Sequence, residues 1–366
     1  MFADENIIRN KKVLLVTFSD NADHQDITFS MFEELSGDYN VWLMCIDNPK
    51  VSLRLSERVK FVNCPQRPGL SLKTFDIFSL NKALQWIKRQ HFDVVFFESL
   101  HIWNLPIMMY CRRHSTVFQV IHDIIPHDGD KSAKLVRLMN RTVCRLANEI
   151  VLVNNKYAVK VTQLYGVSPE HVHCVDMWRS FPEYTYPAFS KRVLFFGRIN
   201  PYKGVNNLIK IAKACDEIHF DVVGRIDPQM EIVANELSCM PNVTVMNEYV
   251  SNKEMENAFR NADWIILPYN SATQSGVIID AYRYSRPVIA FDVGAVSEQI
   301  QDGLSGYLIE AGNCDFFAQK LSEVVNMSQE HYNDMSLYAY RYGKEKYGTE
   351  GAVNRFLQLI GLRATK

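Results

Sequence analysis

From residue 12 to about residue 325, short apolar runs alternate with amphipathic stretches, and this alternation limits the fold more than any other feature of the chain. "KVLLVTF" (12–18), "NVWLMCI" (40–46), "FDVVFFE" (92–98), "STVFQVI" (115–121) and "EIVLVN" (149–154) have the length and apolar content of buried strands. The segments between them, roughly 25–35, 74–90, 100–113, 131–147 and 155–165, have helical periodicity. Strands that alternate with helices and are apolar throughout imply a mostly parallel sheet covered on both faces. The pattern breaks at "DMWRSFPEYTYPAFSK" (176–191) and restarts with "RVLFFG", "IHFDVVG", "NVTVMNEYV", "DWIILPY", "RPVIAF" and "GYLIE". The expected architecture is therefore α/β with two doubly wound Rossmann-like domains, 1–178 and 179–328. Residues 329–366 carry two helical patterns with no strand between them and are expected to pack back toward the first domain. A chain of 366 residues suits two cores better than one.

Charge and cysteine content narrow the function classes. A net charge of -1 excludes a broad nucleic-acid surface. No apolar run approaches the ~18 residues of a membrane span, and "MFADENIIRNKK" lacks the order of a secretory signal. The eight cysteines are scattered without a C-x-x-C pair, and Cys45, Cys64, Cys174 and Cys215 lie in or near apolar stretches. Buried free thiols in a reducing cytoplasm are expected, with neither a zinc site nor a disulfide framework.

In open parallel sheets, ligands bind beyond the carboxyl ends of the strands. At one such end, "FGRINPYKG" (196–204) sets Arg198 and Lys203 between Gly197 and Gly204. Taken alone these are equally well solvated surface cations. At another, "LPYNSATQSGVIIDAYRYSRPVIAF" (267–291) runs strand, polar loop, helix, strand. Ser275, Gly276 and Val277 fall at the helix start, where free N–H groups and the helix dipole favour an anion. Asp280 lies one turn inside; it suits ribose hydroxyls, or else complements the dipole near the N-terminus. Two cations and a helix N-terminus together describe a diphosphate clamp.

"FGRINPYKG", "NEYVSNKEMENAFRNADWIILPY" and "ATQSGVIIDAYRYSRPVIAFDVGAVSEQIQDGLSGYLIEAGN" resemble, in order and spacing, the nucleotide-sugar-binding half of retaining GT-B glycosyltransferases of family 4, over about residues 192–325. The resemblance implies that Arg198 and Lys203 hold the donor diphosphate, Asp280 the ribose, and the backbone around Tyr249 and Val250 the nucleobase. Asp280 stands where that family has the second Glu of a Glu-x7-Glu motif, and Ala272 stands at the first, which contacts the transferred sugar. "VIHDIIPHDGD" (120–130) resembles the family's His-Asp-x-x-Pro-His segment, which places His122 against the transferred sugar; Asp123, His127 and Asp128 serve the acceptor side or stabilise the loop. The loop "SDNADHQDIT" (19–28), with Asp20 and His24, takes the place of the family's glycine-rich loop on the acceptor side but has no glycine.

The implied activity is transfer of a hexosyl unit from a nucleoside diphosphate sugar to an acceptor hydroxyl with retention, by a front-face mechanism without metal or other cofactor, in cell-surface polysaccharide or glycoconjugate synthesis. A GT-B epimerase or phosphorylase, or a non-catalytic nucleotide-sugar-binding partner, shares the same fold. One more feature needs no family. Lys131, Lys134, Arg137, Arg141 and Arg145 share one face of a helix, with Leu135, Met139, Val143 and Leu146 opposite. That face is either solvated or a seat for anionic lipid or a lipid-diphosphate acceptor at the inner face of the membrane.

Overall fold

The computed structural model describes residues 11–19, 22–46, 57–62, 75–125, 133–187 and 189–363. Two compact units divide the chain: one contains 1–179 together with 349–366, the other 180–348. The C-terminal block expected at 329–366 is thus split between them.

The first unit is a parallel sheet in the order β3-β2-β1-β4-β5-β6-β7. It begins with β1 (Val13–Thr17), α1 (Ala22–Ser36), β2 (Val41–Ile46), β3 (Val59–Val62), α2 (Ile77–Gln90), β4 (Val94–Phe97) and α3 (Asn104–Cys111). It continues with β5 (Thr116–Ile121), α4 (Ala133–Leu146), β6 (Glu149–Leu152), α5 (Ala158–Tyr165) and β7 (Val172–Cys174). Strands apolar at every position make sense in such a sheet because both faces are buried. Val13 and Leu15 of β1 pack with Phe96, Phe118 and the α1 residues Ile27, Met31 and Leu35. Leu14 and Val16 point the other way, into a core with Val95, Phe97, Ile87 and Ile107. β2 and β4 flank β1, in register Val13–Val41 and Val13–Val94. The strand order therefore reverses direction at β1 and β4, and a crevice opens there beyond the carboxyl ends.

The second unit contains β8 (Arg192–Phe196), α6 (Val205–Ala214), β9 (His219–Val223), α7 (Glu231–Ser238), β10 (Val243–Met246), α8 (Asn252–Asn261) and β11 (Trp264–Leu267). α9 (Gly276–Arg283), β12 (Val288–Phe291), β13 (Gly306–Ile309), α10 (Cys314–Val325) and α11 (Gln329–Tyr347) complete it. Its six strands run in the order β10-β9-β8-β11-β12-β13, all parallel, and the reversal falls between β8 and β11. β10 ends at Met246, four residues short of the apolar run in the sequence, so Tyr249 and Val250 stand in a loop. Helix starts are capped locally: Ser251 and Glu254 form a capping box at α8, and the Ser328 hydroxyl accepts from the His331 N–H at α11. α11 seats on α9, where a Cβ at Gly343 would lie 2.5 Å from that of Tyr282.

The last helix, α12 (Thr349–Arg363), returns to the first unit. Its Ala352, Val353, Phe356 and Ile360 join the core with α1 and β1, and the Phe356 ring meets Phe96 edge-on at 4.9 Å. No disulfide links the described cysteines; Cys45, Cys111 and Cys215 are buried free thiols, while Cys239 is exposed.

Candidate functional site

Each unit gathers its polar chemistry where its strand order reverses. In the second, the chain leaves β8 through Gly197 at φ +103°, a conformation that L side chains rarely adopt. A Cβ at Gly197 would lie 2.4 Å from the Lys203 Nζ, so the missing side chain makes room for that ammonium. Lys203 is buried, donates to the carbonyl of Phe196 at 3.1 Å, and lies 5.2 Å from the Tyr269 ring centroid. Arg198 is exposed and makes no ion pair among the described residues. Gly204 is as constrained, since a Cβ would collide with the carbonyl of Pro268 at the end of β11. The two loops are locked together, with Asn207 donating to Pro268 O and Asn270 donating to Pro201 O.

Past β11, the helix start behaves partly as expected. The Ser275 N–H is not free for an anion: it donates to Gln299 Oε1 at 2.8 Å, and the Gln299 amide donates back to Ser275 O at 3.0 Å. That corrects the three-amide site to the N–H groups of Gly276 and Val277, which head α9 with no protein acceptor among the described residues. The exchange with Gln299 is not visible in the sequence, because it spans 24 residues. Asp280 is buried one turn inside, 3.5 Å from Arg283 Nη1. Ala272 is buried in the same loop, its carbonyl accepting from the Ala295 N–H at 3.3 Å. Tyr249 is 72 % exposed and stacks on Arg225, with 4.9 Å from guanidinium to ring centroid. Arg225 follows β9 and makes a flat cationic platform there that the sequence reading missed; Val250 is half-buried beside it.

In the first unit, the site is a buried carboxylate between two imidazoles. His24 stands in the first turn of α1, after β1, Glu98 directly follows β4, and His122 directly follows β5. Glu98 Oε1 lies 2.8 Å from both His24 Nδ1 and His122 Nε2, and His122 Nε2 is also 3.1 Å from the Glu98 carbonyl oxygen. The rings meet edge-on with centroids 4.4 Å apart. Burial raises the proton affinity of Glu98; the charges and hydrogen bonds of His24 and His122 outweigh this and hold its pKa at about 2. These three ligand-type atoms lie within 4.8 Å of one another, the only such set of three or more His, Cys, Asp or Glu groups among the described residues. Two imidazoles and a carboxylate are donors suited to a transition metal, but both histidine–Glu98 distances are those of hydrogen bonds. The sequence reading had His24 and His122 and overlooked Glu98. Asp123, the next residue, is exposed, and its carbonyl accepts from Asn140. Asp20, His127 and Asp128 lie outside the described residues.

The basic face of α4 is present from Lys134 onward, with Lys131 outside the described residues. Lys134, Arg137, Arg141 and Arg145 are exposed, while Met139 and Val143 are buried. Arg137 and Arg141, together with Lys160 of α5, line a groove of about 520 Å³ floored by Ile124, Ile125 and Tyr165. None of the three makes a salt bridge among the described residues. Leu138, on the same side, is 60 % exposed.

Residues 190–327 match the family described as "Glycosyl transferases group 1". Over 82 % of its length the chain is 23 % identical to 88 % of an "Uncharacterized 41.2 kDa protein in cps region" of Klebsiella pneumoniae. It is 28 % identical over 38 % of its length to a D-inositol 3-phosphate glycosyltransferase of Mycolicibacterium smegmatis, and spans about a third (34 %) of that protein. Among solved structures, HepE of Anabaena in complex with UDP and glucose is similar over 96 % of this chain and 99 % of its own, with a TM-score of 0.73 at 12 % identity. Both units have the Rossmann-like folds of GT-B glycosyltransferases. No described helix is long and apolar enough to cross a membrane.

Proposed function

We propose that the protein is a GT-B glycosyltransferase that moves a hexosyl unit from a nucleoside diphosphate sugar to an acceptor hydroxyl, with retention and without a metal. The observation that carries this reading is the junction beyond β8 and β11, where Arg198, buried Lys203 and the first N–H groups of α9 surround one polar loop system. It lies within the segment that matches the glycosyltransferase family. Negative charge grows on the diphosphate as the sugar leaves, and positive groups already in place stabilise it without reorganisation. Gly197 and Gly204 keep those groups in place, since neither position admits a side chain without displacing Lys203 or the backbone of Pro268. Asp280 would hold the ribose, and the Arg225–Tyr249 platform with Val250 the base. UDP and glucose bound to HepE favour a uridine diphosphate donor.

In the first unit, His122 would contact the transferred sugar. The α4–α5 groove, cationic at its rim and apolar at its floor, suits a lipid-linked saccharide at an anionic membrane surface. The cps-region relative supports a place in polysaccharide synthesis.

A panel of nucleoside diphosphate sugars read by thermal shift, followed by turnover of those that bind, tests the reading. At least one UDP-sugar should stabilise the protein and be turned over. Arg198→Ala or Lys203→Ala should then lower kcat/KM by at least ~10²-fold, the scale of one lost preorganised donor. Wild-type kinetics in both variants would remove the clamp, and binding without turnover by the wild type would favour a non-catalytic nucleotide-sugar binder.

A further inference from the structure

Two buried glutamates of the first unit are each flanked by two histidines, in different ways. At Glu149, His171 Nδ1 meets Oε1 at 3.2 Å and His173 Nε2 meets Oε2 at 2.7 Å, so each oxygen has one imidazole. At Glu98 both imidazoles converge on Oε1, and the buried Oε2 has no hydrogen-bond partner among the described residues. Glu98 borders a small cavity whose other walls include the apolar Ile27, Phe96 and Val120, together with Trp178, whose indole N–H donates to Ile27 O and Ser30 Oγ instead. Leaving a buried acceptor unmade costs about 1–3 kcal/mol. What the arrangement gains is the placement of the histidines: one oxygen brings both rings to a single point and sets them edge-on, at 84°. It satisfies the histidines at the expense of the carboxylate.

The geometry also fixes a proton. His122 Nε2 is within hydrogen-bond distance of the Glu98 carbonyl as well as of Oε1. A carbonyl oxygen only accepts, so Nε2 carries the hydrogen whatever the state of the carboxyl group. In neutral His122 the lone pair then resides on Nδ1, the ring nitrogen turned away from Glu98. We propose that Glu98, buttressed by His24, is the positioning residue of His122. It holds the Nε2–H tautomer and the ring plane so that Nδ1 accepts a hydrogen bond from a hydroxyl of the sugar substrate. This deepens the reading above, that the site handles a sugar, and it rests on that reading. It also names the ligand chemistry of the subsite: a neutral hydroxyl, which has a proton to donate, in preference to a carboxylate or phosphate.

Long-range ¹H–¹⁵N spectra of the wild-type histidines at pH 8, in the absence of substrate, provide the first test. The expected pattern for His122 is that of a neutral Nε2–H imidazole. An Nδ1–H pattern, an imidazolium, or stoichiometric zinc binding that shifts both His24 and His122 would overturn the proposal, the last in favour of a metal centre. Kinetics provide the second. Glu98→Gln keeps the size but offers a single acceptor and a competing N–H₂ donor, so kcat should fall by about 10–100-fold, the scale for groups that orient a functional histidine. Donor KM should stay within about twofold, as expected for a loss confined to the oriented imidazole. An unchanged kcat, or a loss confined to KM, would refute the assignment. Should Glu98→Gln not fold, His24→Asn carries the same kinetic comparison. A wild type inert toward every nucleotide sugar would defeat the glycosyltransferase reading while leaving the tautomer measurement standing.

Discussion

Glu98 is ionised in the interior because of its neighbours, and that makes its contribution to stability depend on acid. A solvated glutamate titrates near 4.5, whereas His24 and His122 hold Glu98 at about 2. A carboxylate whose pKa is lowered by folding stabilises the fold above its unfolded pKa and loses that contribution as pH falls through the folded one. The difference corresponds to about 3 kcal/mol. Chemical denaturation of the wild type and Glu98→Gln should therefore differ most at pH 5 and converge toward pH 2. A gap that stays constant across this range would show that Glu98 stabilises by packing alone. This residue also marks where sequence reading stopped. His122 was legible because it follows an apolar run within a recognisable segment, and Lys203 because two glycines bracket it. Glu98 was in view as the last letter of "FDVVFFE" but looked like the end of a strand. Its role depends on β1, β4 and β5 lying side by side, a pairing that no local pattern encodes.

Among the elements, α4 shows how far periodicity reaches. Spacing alone separated Met139 and Val143, which are buried, from Arg137 and Arg141, which are exposed. The groove that these arginines share with Lys160 required knowing that α5 packs alongside. If anionic lipid occupies this face, each cation near the surface contributes about 1 kcal/mol. Changing Lys134, Arg137 and Arg141 together to Glu should abolish co-sedimentation with phosphatidylserine vesicles at low salt and leave donor binding intact, since the clamp belongs to the other unit. A wild type that does not sediment would assign α4 to solvent. β3 and β7 escaped the sequence reading for a different reason. They are edge strands of four and three residues, exposed or half-buried at nearly every position, so they lack the apolar run that identifies the central strands.

For the whole molecule, the first unit is discontinuous: 1–179 is completed by α12 after the entire second unit has intervened. Ala352, Val353, Phe356, Leu359 and Ile360 all lie in its core. Full burial of one larger apolar side chain is worth about 1.5–3 kcal/mol, and a typical domain has only about 5–15 kcal/mol in total. A chain ending at residue 348 should therefore keep the second unit's thermal transition and lose that of the first, as followed by calorimetry and amide exchange. Two intact transitions would show α12 to be dispensable. The sequence revealed two helices at the C-terminus and the place where the first sheet gives way to the second; it did not reveal that Gly348 divides those helices between units, because both have an apolar face and only the partner differs. The same discontinuity reverses the usual order of assembly on the ribosome. A domain made first generally folds first, as the chain emerges at about 5–20 residues per second. Here 169 residues (180–348) separate the two parts of the first unit, so its sheet must wait roughly 10–30 s for α12 at that rate. The unit between the two parts is the one able to finish first, and the strands of the first sheet stay without their last helix until it has been made.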